Sequence, residues 1–153
     1  MGAAYFYHLT RKPLEATLPL LLGKALGAGW RCLVVGQNQA RLEALDTQLW
    51  QGKDTDFLAH GLTGGAHDAS QPILLTTSHT DKNGAACAMC IDGADITPEQ
   101  VQKYERTCIL FDGNDEIALK AARVQWKSLT DAGCAAQYWS EESGNWQMKA
   151  KKD

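Results

Sequence analysis

A chain of 153 residues, 44% apolar and 22% charged, has the composition of a soluble globular protein. It can bury roughly two thirds of its unfolded surface in one ordinary core without staples. Its 15 basic and 18 acidic side chains leave a net charge of −3, which argues against a free-standing nucleic-acid binder, because neutralised phosphates supply most of that affinity. Five cysteines, an odd number, read as reduced thiols of a cytosolic core rather than as a disulfide framework.

Short aromatic and β-branched runs alternate with segments of helical period, the pattern of an α/β sheet with helices on its faces. The first strand is expected at Ala4 to Leu9. Leu14, Leu18, Leu21 and Ala25 then fall on one helical face that ends at Gly27 to Gly29. Pro19 leaves two readings open, a helix that begins there or a helix that kinks there. The same proline interrupts the apolar run Leu18 to Leu22, so no signal peptide or membrane span is expected and the address is cytoplasmic.

Cys32 to Val35 reads as a central strand, and Leu42, Leu45 and Leu49 give helical spacing over Gln39 to Leu49. Gly61 to Gln71, rich in glycine, is expected to be an exposed loop. Further strands are expected at Ile73 to Thr76, Ala86 to Ile91 and Thr107 to Phe111. A late helix follows over Asp115 to Ala132, capped by Asn114 or Asp112 and stopped by Gly133. A short strand at Ala135 to Trp139 leads into a polar tail of about residues 144–153. No repeat or linker divides residues 1–153, which read as a single domain.

The phosphate loops of nucleotide-binding α/β proteins are missing. Gly27-Ala28-Gly29 lacks a third glycine and precedes a strand, and Gly61 to Gly65 has neither the lysine nor the hydroxyl of a P-loop. Cys87 and Cys90 have the spacing of half a metal site, but no second ligand pair accompanies them, and strand alternation places them on opposite faces. Neither metal nor cofactor is expected. His8, His60, His67 and His79 stand apart from any recognisable nucleophile motif, so no catalytic site is expected. The alternative is a small nucleotide-binding α/β domain or enzyme with a divergent phosphate loop after Val35.

Two surfaces are left as candidates. Trp50 closes the second helix, and Phe57 and His60 follow a polar bridge; core packing under a loop competes here with a half-exposed aromatic hot spot. On the late helix, about 100° per residue places Lys120, Arg123 and Lys127 in one wedge bordered by Trp126. Ile117, Ala121 and Val124 take another side and are expected to face the sheet. A basic stripe is ordinarily a solvated face. With an indole beside it, the stripe also suits an acidic peptide with an apolar end and a free carboxylate.

Taken in order, Tyr5-Phe6-Tyr7-His8-Leu9, Leu21-Leu22-Gly23-Lys24-Ala25-Leu26, Gly29 to Val34, Leu45-Asp46 with Leu49-Trp50, Phe57 to Gly61 and Gln71 to Leu75 are spaced as in a known family. Through these blocks, and through Trp126-Lys127 to Gly133 and Tyr138-Trp139, the chain resembles the chi subunit of bacterial DNA polymerase III. The resemblance implies a Rossmann-like, doubly wound, mostly parallel sheet flanked by helices, with no cofactor and no catalysis of its own. It implies an accessory role in the clamp-loader complex, bridging the psi subunit and the C-terminal tail of single-stranded-DNA-binding protein and touching DNA only indirectly. Carried over by position, Trp50 and Phe57, with His60 nearby, face psi, and Arg123, Trp126 and Lys127 hold the tail. Two departures stand out. Trp126 replaces a tyrosine of the best-known chi, and Leu119 stands where a basic residue is expected, so that Lys120 or Lys149 would supply the second charge. In bacteria without a recognisable psi, the partner at Trp50 would be the clamp loader itself or a helicase.

Overall fold

The computed structural model describes residues 2–51, 59–142 and 145–152. The expected apolar runs all become strands of one sheet: β1 (Ala3–Leu9), β2 (Cys32–Val35), β4 (Ile73–Thr76), β5 (Cys87–Cys90), β6 (Arg106–Asp112) and β7 (Ala135–Ser140). Two strands were not expected, β3 (His60–Leu62) and β8 (Gln147–Lys152). Among the described residues the strand order is β3-β4-β2-β5-β6-β1-β7-β8. All pairings are parallel except that of β8 with β7.

Helices cover both faces. α1 (Leu14–Gly27) and α2 (Gln39–Trp50) pack Leu14, Leu18, Leu22, Leu42, Leu45 and Leu49 over Cys32, Val34, Met89 and Leu110. α3 (Pro98–Lys103) and α4 (Glu116–Asp131) bring Val101, Ala122 and Leu129 against Phe6, Leu33, Ile109 and Phe111 on the opposite face. Alternation does the sorting, since successive strand residues point to opposite sides. Cys87 and Cys90 accordingly lie in different cores.

Pro19 is in the middle of α1, so the reading in which the helix begins there is corrected. The proline has no N–H for the carbonyl of Glu15, four residues earlier. Gln48 of α2 fills the vacancy: its Nε2 donates to that carbonyl at 3.0 Å.

α4 starts on Asp115, whose carboxylate accepts from Ile117 N at 2.9 Å, and not on Asn114 or Asp112. Gly133, with φ +91°, follows its last turn in a conformation that suits glycine. The inner face of α4 also differs from expectation. Ile117 is 82% and Val124 70% exposed and Ala121 faces solvent, while Ala118, Leu119, Ala122, Trp126 and Leu129 pack on the sheet. An indole and two leucines bury more apolar area than Ile117, Ala121 and Val124 can, and helix phase allows only one of the two sets to face inward.

Three further corrections concern short elements. The expected polar tail is strand β8 over Gln147–Lys152, since its backbone pairs with β7 and becomes the edge strand of the sheet. The expected loop Gly61 to Gln71 begins inside β3, which pairs with β4, and also contains a single 3-10 turn at Asp68–Ser70. α3 was missed, although its signal is local: Thr97 and Gln100 form a reciprocal capping box with Pro98 at the first turn.

Candidate functional site

Beside α4, the sheet builds a cleft from residues far apart in sequence. On β1, Phe6 and His8 alternate onto the α4 face, and parallel register sets Tyr138 and Ser140 of β7 next to them. Phe111 of β6 is the register partner of His8. The rings form one block: Phe6 meets Trp126 edge-on at 5.3 Å, Trp126 meets Tyr138 at 6.0 Å, and His8 stacks on Phe111 at 5.3 Å. Such pairs fix one another's orientation. Trp126 is therefore held half-buried, as a wall.

The cleft has a volume of about 620 Å³ and is lined by His8, Leu119, Arg123, Trp126, Tyr138, Glu142 and Lys149, among others. Arg123 is exposed, and among the described residues it has no ion-pair partner. Lys149 reaches the site through an irregularity in β8. Tyr138 pairs with Ala150 and Trp139 with Met148, so Lys149 between them has no partner, as in a β-bulge, which re-aims a side chain. Its Nζ donates to Gln147 Oε1 at 3.5 Å. Burial pushes the Tyr138 phenol up, Arg123 opposes that shift and Glu142 adds to it, so both charges are felt at the ring.

Just after β7, the buried Glu141 ties the chain to the segment that follows β1. Its Oε1 accepts backbone N–H groups from Thr10 at 3.2 Å, Arg11 at 3.0 Å and Lys12 at 2.9 Å. Burial acts to raise this carboxyl, but the bonds from Lys12, Arg11 and Thr10 and the Lys12 charge outweigh it and hold its pKa below the ordinary carboxylate value. Arg11 also donates through Nε and Nη2 to the carbonyl of Glu142, at 3.1 and 2.8 Å. The Glu142 backbone is thereby held at the rim, while its side chain stays exposed.

Of the residues picked from sequence, the structure gathers Arg123 and Trp126, together with Lys149. Lys120 and Lys127 are exposed on α4 but do not line the cleft, and Lys127 is paired with Asp131 at 2.9 Å. Sequence reasoning missed His8, Tyr138 and Glu142. Tyr138 and His8 carried a signal, since a polar or amphipathic residue on the inward phase of a strand needs a reason to be there.

At the other flank, Trp50 ends α2, 51% exposed as a residue, with its ring tilted over His60 at 4.3 Å. His60 is 3% exposed and places Nε2 3.0 Å from the Asp46 carbonyl and 3.1 Å from its carboxylate. His60 thus supports Trp50 from below. Phe57 lies outside the described residues.

A third feature is the crevice over the C-terminal strand ends, about 900 Å³, where doubly wound sheets bind nucleotides. Here it is lined by Glu15, Asp92, Asp112 and Asp115 against Arg11, Lys12 and Arg41, and Arg41 is already tied to Glu15 and Asp92. That balance does not suit a polyphosphate. On the α1 and α2 face, Cys32, Cys87 and Cys108 are buried free thiols of neighbouring strands. Hydrogen bonds from Cys108 and Cys32 pull the Cys87 thiol down and push its two partners up. Among the described residues, no group of three or more His, Cys, Asp or Glu could hold a metal ion, and no helix is long and apolar enough to cross a membrane.

In class, this is an α/β protein whose described residues form a mostly parallel eight-stranded sheet with helices on both faces and, on one flank, an aromatic cleft whose cations have no ion-pair partner among those residues. The family model described as DNA polymerase III chi subunit, HolC, matches residues 1–137. The chain belongs to that family, whose members are accessory subunits in DNA replication. It is also similar to the probable DNA polymerase III subunit chi of Rickettsia prowazekii (strain Madrid E), at 22% identity over 111 residues that cover 69% of this chain and 67% of the other.

Proposed function

We propose that this chi-family protein is a tether, with no chemistry of its own, that holds the polymerase assembly to protein-coated lagging-strand DNA. The cleft of Arg123, Trp126, Tyr138 and Lys149 takes the acidic C-terminal tail of single-stranded-DNA-binding protein. The tail's apolar last residue lies against Trp126 and its carboxylate faces Arg123. Lys120 and Lys127, outside the cleft on the exposed side of α4, attract the acidic residues that precede it. Trp50, with Phe57 and over His60, contacts psi or, where psi is lacking, the clamp loader or a helicase. The sheet is read as a Rossmann-like winding that carries no nucleotide, in a single cytoplasmic domain.

What supports this most is one juxtaposition: an arginine with no ion pair among the described residues, an indole held at its side by Phe6, and a lysine aimed in by a bulge. An unpaired guanidinium next to an aromatic wall fits a carboxylate attached to an apolar group. A contact of this size is individually modest, about micromolar or −8 kcal/mol. Many tails on one coated strand raise the local concentration and with it the avidity. The test is titration of the tail peptide into the full chain, with Arg123→Ala and Trp126→Ala as variants. Each should weaken binding by about tenfold or more, as expected for loss of a charge-assisted bond or a buried aromatic contact. If both variants bind like the parent, the cleft is not the tail site.

A further inference from the structure

Within the cleft, His8 and Glu142 form a pair that the tether reading does not use. The His8 side chain is only 10% exposed, and its Nε2 is sealed without a hydrogen-bond partner among the described residues. Gly113 explains the seal: a Cβ built there would lie 1.9–2.0 Å from His8 Cδ2 and Nε2. That side of the ring meets backbone and no acceptor. The other ring nitrogen, Nδ1, looks to the cleft, where the Glu142 carboxylate stands at 3.7 Å. This is too long for a hydrogen bond, and the Glu142 side chain is 60% exposed.

The charged and titratable groups around His8 are Arg123 from α4, Tyr138 from β7, Glu142 after β7 and Lys149 from β8. Among the described residues that line the cleft, Glu142 is the one carboxylate. Its field favours the tautomer with the proton on Nδ1, so a neutral His8 presents a donor to the cleft.

We propose that His8 Nδ1 is a hydrogen-bond donor for the incoming carboxylate, and that Glu142 is an internal competitor which that carboxylate displaces from beside His8. The inference rests on the tail-binding reading of the cleft. Glu142 can leave at small cost, because it is exposed and makes no hydrogen bond to the ring. Its backbone stays anchored by Arg11, so the displaced side chain remains near the rim. The cleft then selects for ligands whose carboxylate interacts with His8 and Arg123 better than Glu142 does. Without a ligand, Glu142 partly neutralises an otherwise cationic hollow and disfavours stray anions.

The experiment is fluorescence anisotropy of a labelled acidic hexapeptide ending in phenylalanine with a free carboxylate, against the full chain, alongside the same peptide amidated at its end. Glu142→Gln keeps the size of the side chain and removes its charge; it should tighten the free-carboxylate peptide by about threefold to tenfold and the amidated one far less. His8→Phe keeps the stack on Phe111 and should weaken the free-carboxylate peptide by about tenfold. Should His8→Phe fail to fold, as read by circular dichroism, the Glu142→Gln result decides. An unchanged or weaker affinity for Glu142→Gln overturns the displacement. So does an equal gain for both peptides, which would mean that Glu142 acts through overall charge alone. If the parent binds and only these variant effects are missing, this inference falls and the tail reading stands. If neither the parent nor Glu142→Gln binds the peptide, both fall together.

Discussion

Gln48→Leu isolates one hydrogen bond whose reason lies in another helix. Pro19 deprives the Glu15 carbonyl of its donor within α1, and Gln48 Nε2 supplies one from α2 at 3.0 Å. Leucine and glutamine have nearly equal helix propensity, so the substitution leaves α2 itself largely unaffected. The carbonyl is partly buried, and leaving it without a partner should cost about 1 kcal/mol, or about 3 °C in Tm for a chain of this size. Pro19→Ala restores the N–H within α1 and should raise stability by about 1 to 3 kcal/mol. In that background Gln48→Leu should cost little, because the helix then serves its own carbonyl. Urea melts of the parent, both single variants and the double variant give a coupling energy of about 1 kcal/mol if this is right. Equal costs of Gln48→Leu in both backgrounds would refute it and return Gln48 to the ordinary surface.

Three further outcomes follow from the geometry. Since the folded-state pKa of Glu141 lies below its unfolded value, its contribution is present above about pH 4.5 and is lost as pH falls through the folded value; acid melts of Glu141→Gln should therefore lose stability less steeply below that pH than the parent. Gly113→Ala would drive a methyl into the edge of His8 and toward Thr10 Cγ2, at 2.9 Å, and should destabilise by about 1 to 3 kcal/mol in denaturant melts, whereas a neutral result would mean that His8 has room to swing away. Trp50→Ala removes a ring that is half exposed and should cost under about 1 kcal/mol, yet abolish capture of psi or the clamp loader in a pull-down; a collapse of the fold would instead make Trp50 a core residue.

The chain order of most elements was legible because it depends on short-range rules. β2 and β4 have the bounds expected of them, and α2 buries Leu42, Leu45 and Leu49, as their 3- and 4-residue spacing requires. Periodicity alone could not choose the inner face of α4, since Ile117, Ala121 and Val124 satisfy it as well as Leu119, Ala122 and Trp126 do. The decision came from Phe6 and Tyr138 on strands more than a hundred residues apart, which offer an indole more contact than solvent does. β8 escaped for a related reason: Gln147–Lys152 is exposed along its whole length and is a strand through backbone pairing with β7, which leaves no pattern in side-chain polarity.

The same division runs through the candidate site. Arg123 and Trp126 are one helical turn apart, so their proximity was written into local geometry before any fold existed. Lys149, Glu142 and His8 come from β8, the segment after β7, and β1, and only strand order and one bulge bring them to that turn. Sequence thus determined which residue types were available and which neighbours within a helix or strand share a face, because those distances follow from backbone repeat. Tertiary structure alone decided which charges stay unpaired, which ring forms a wall and where a carboxylate stands in the cleft, because these depend on pairings between segments that have no fixed separation along the chain.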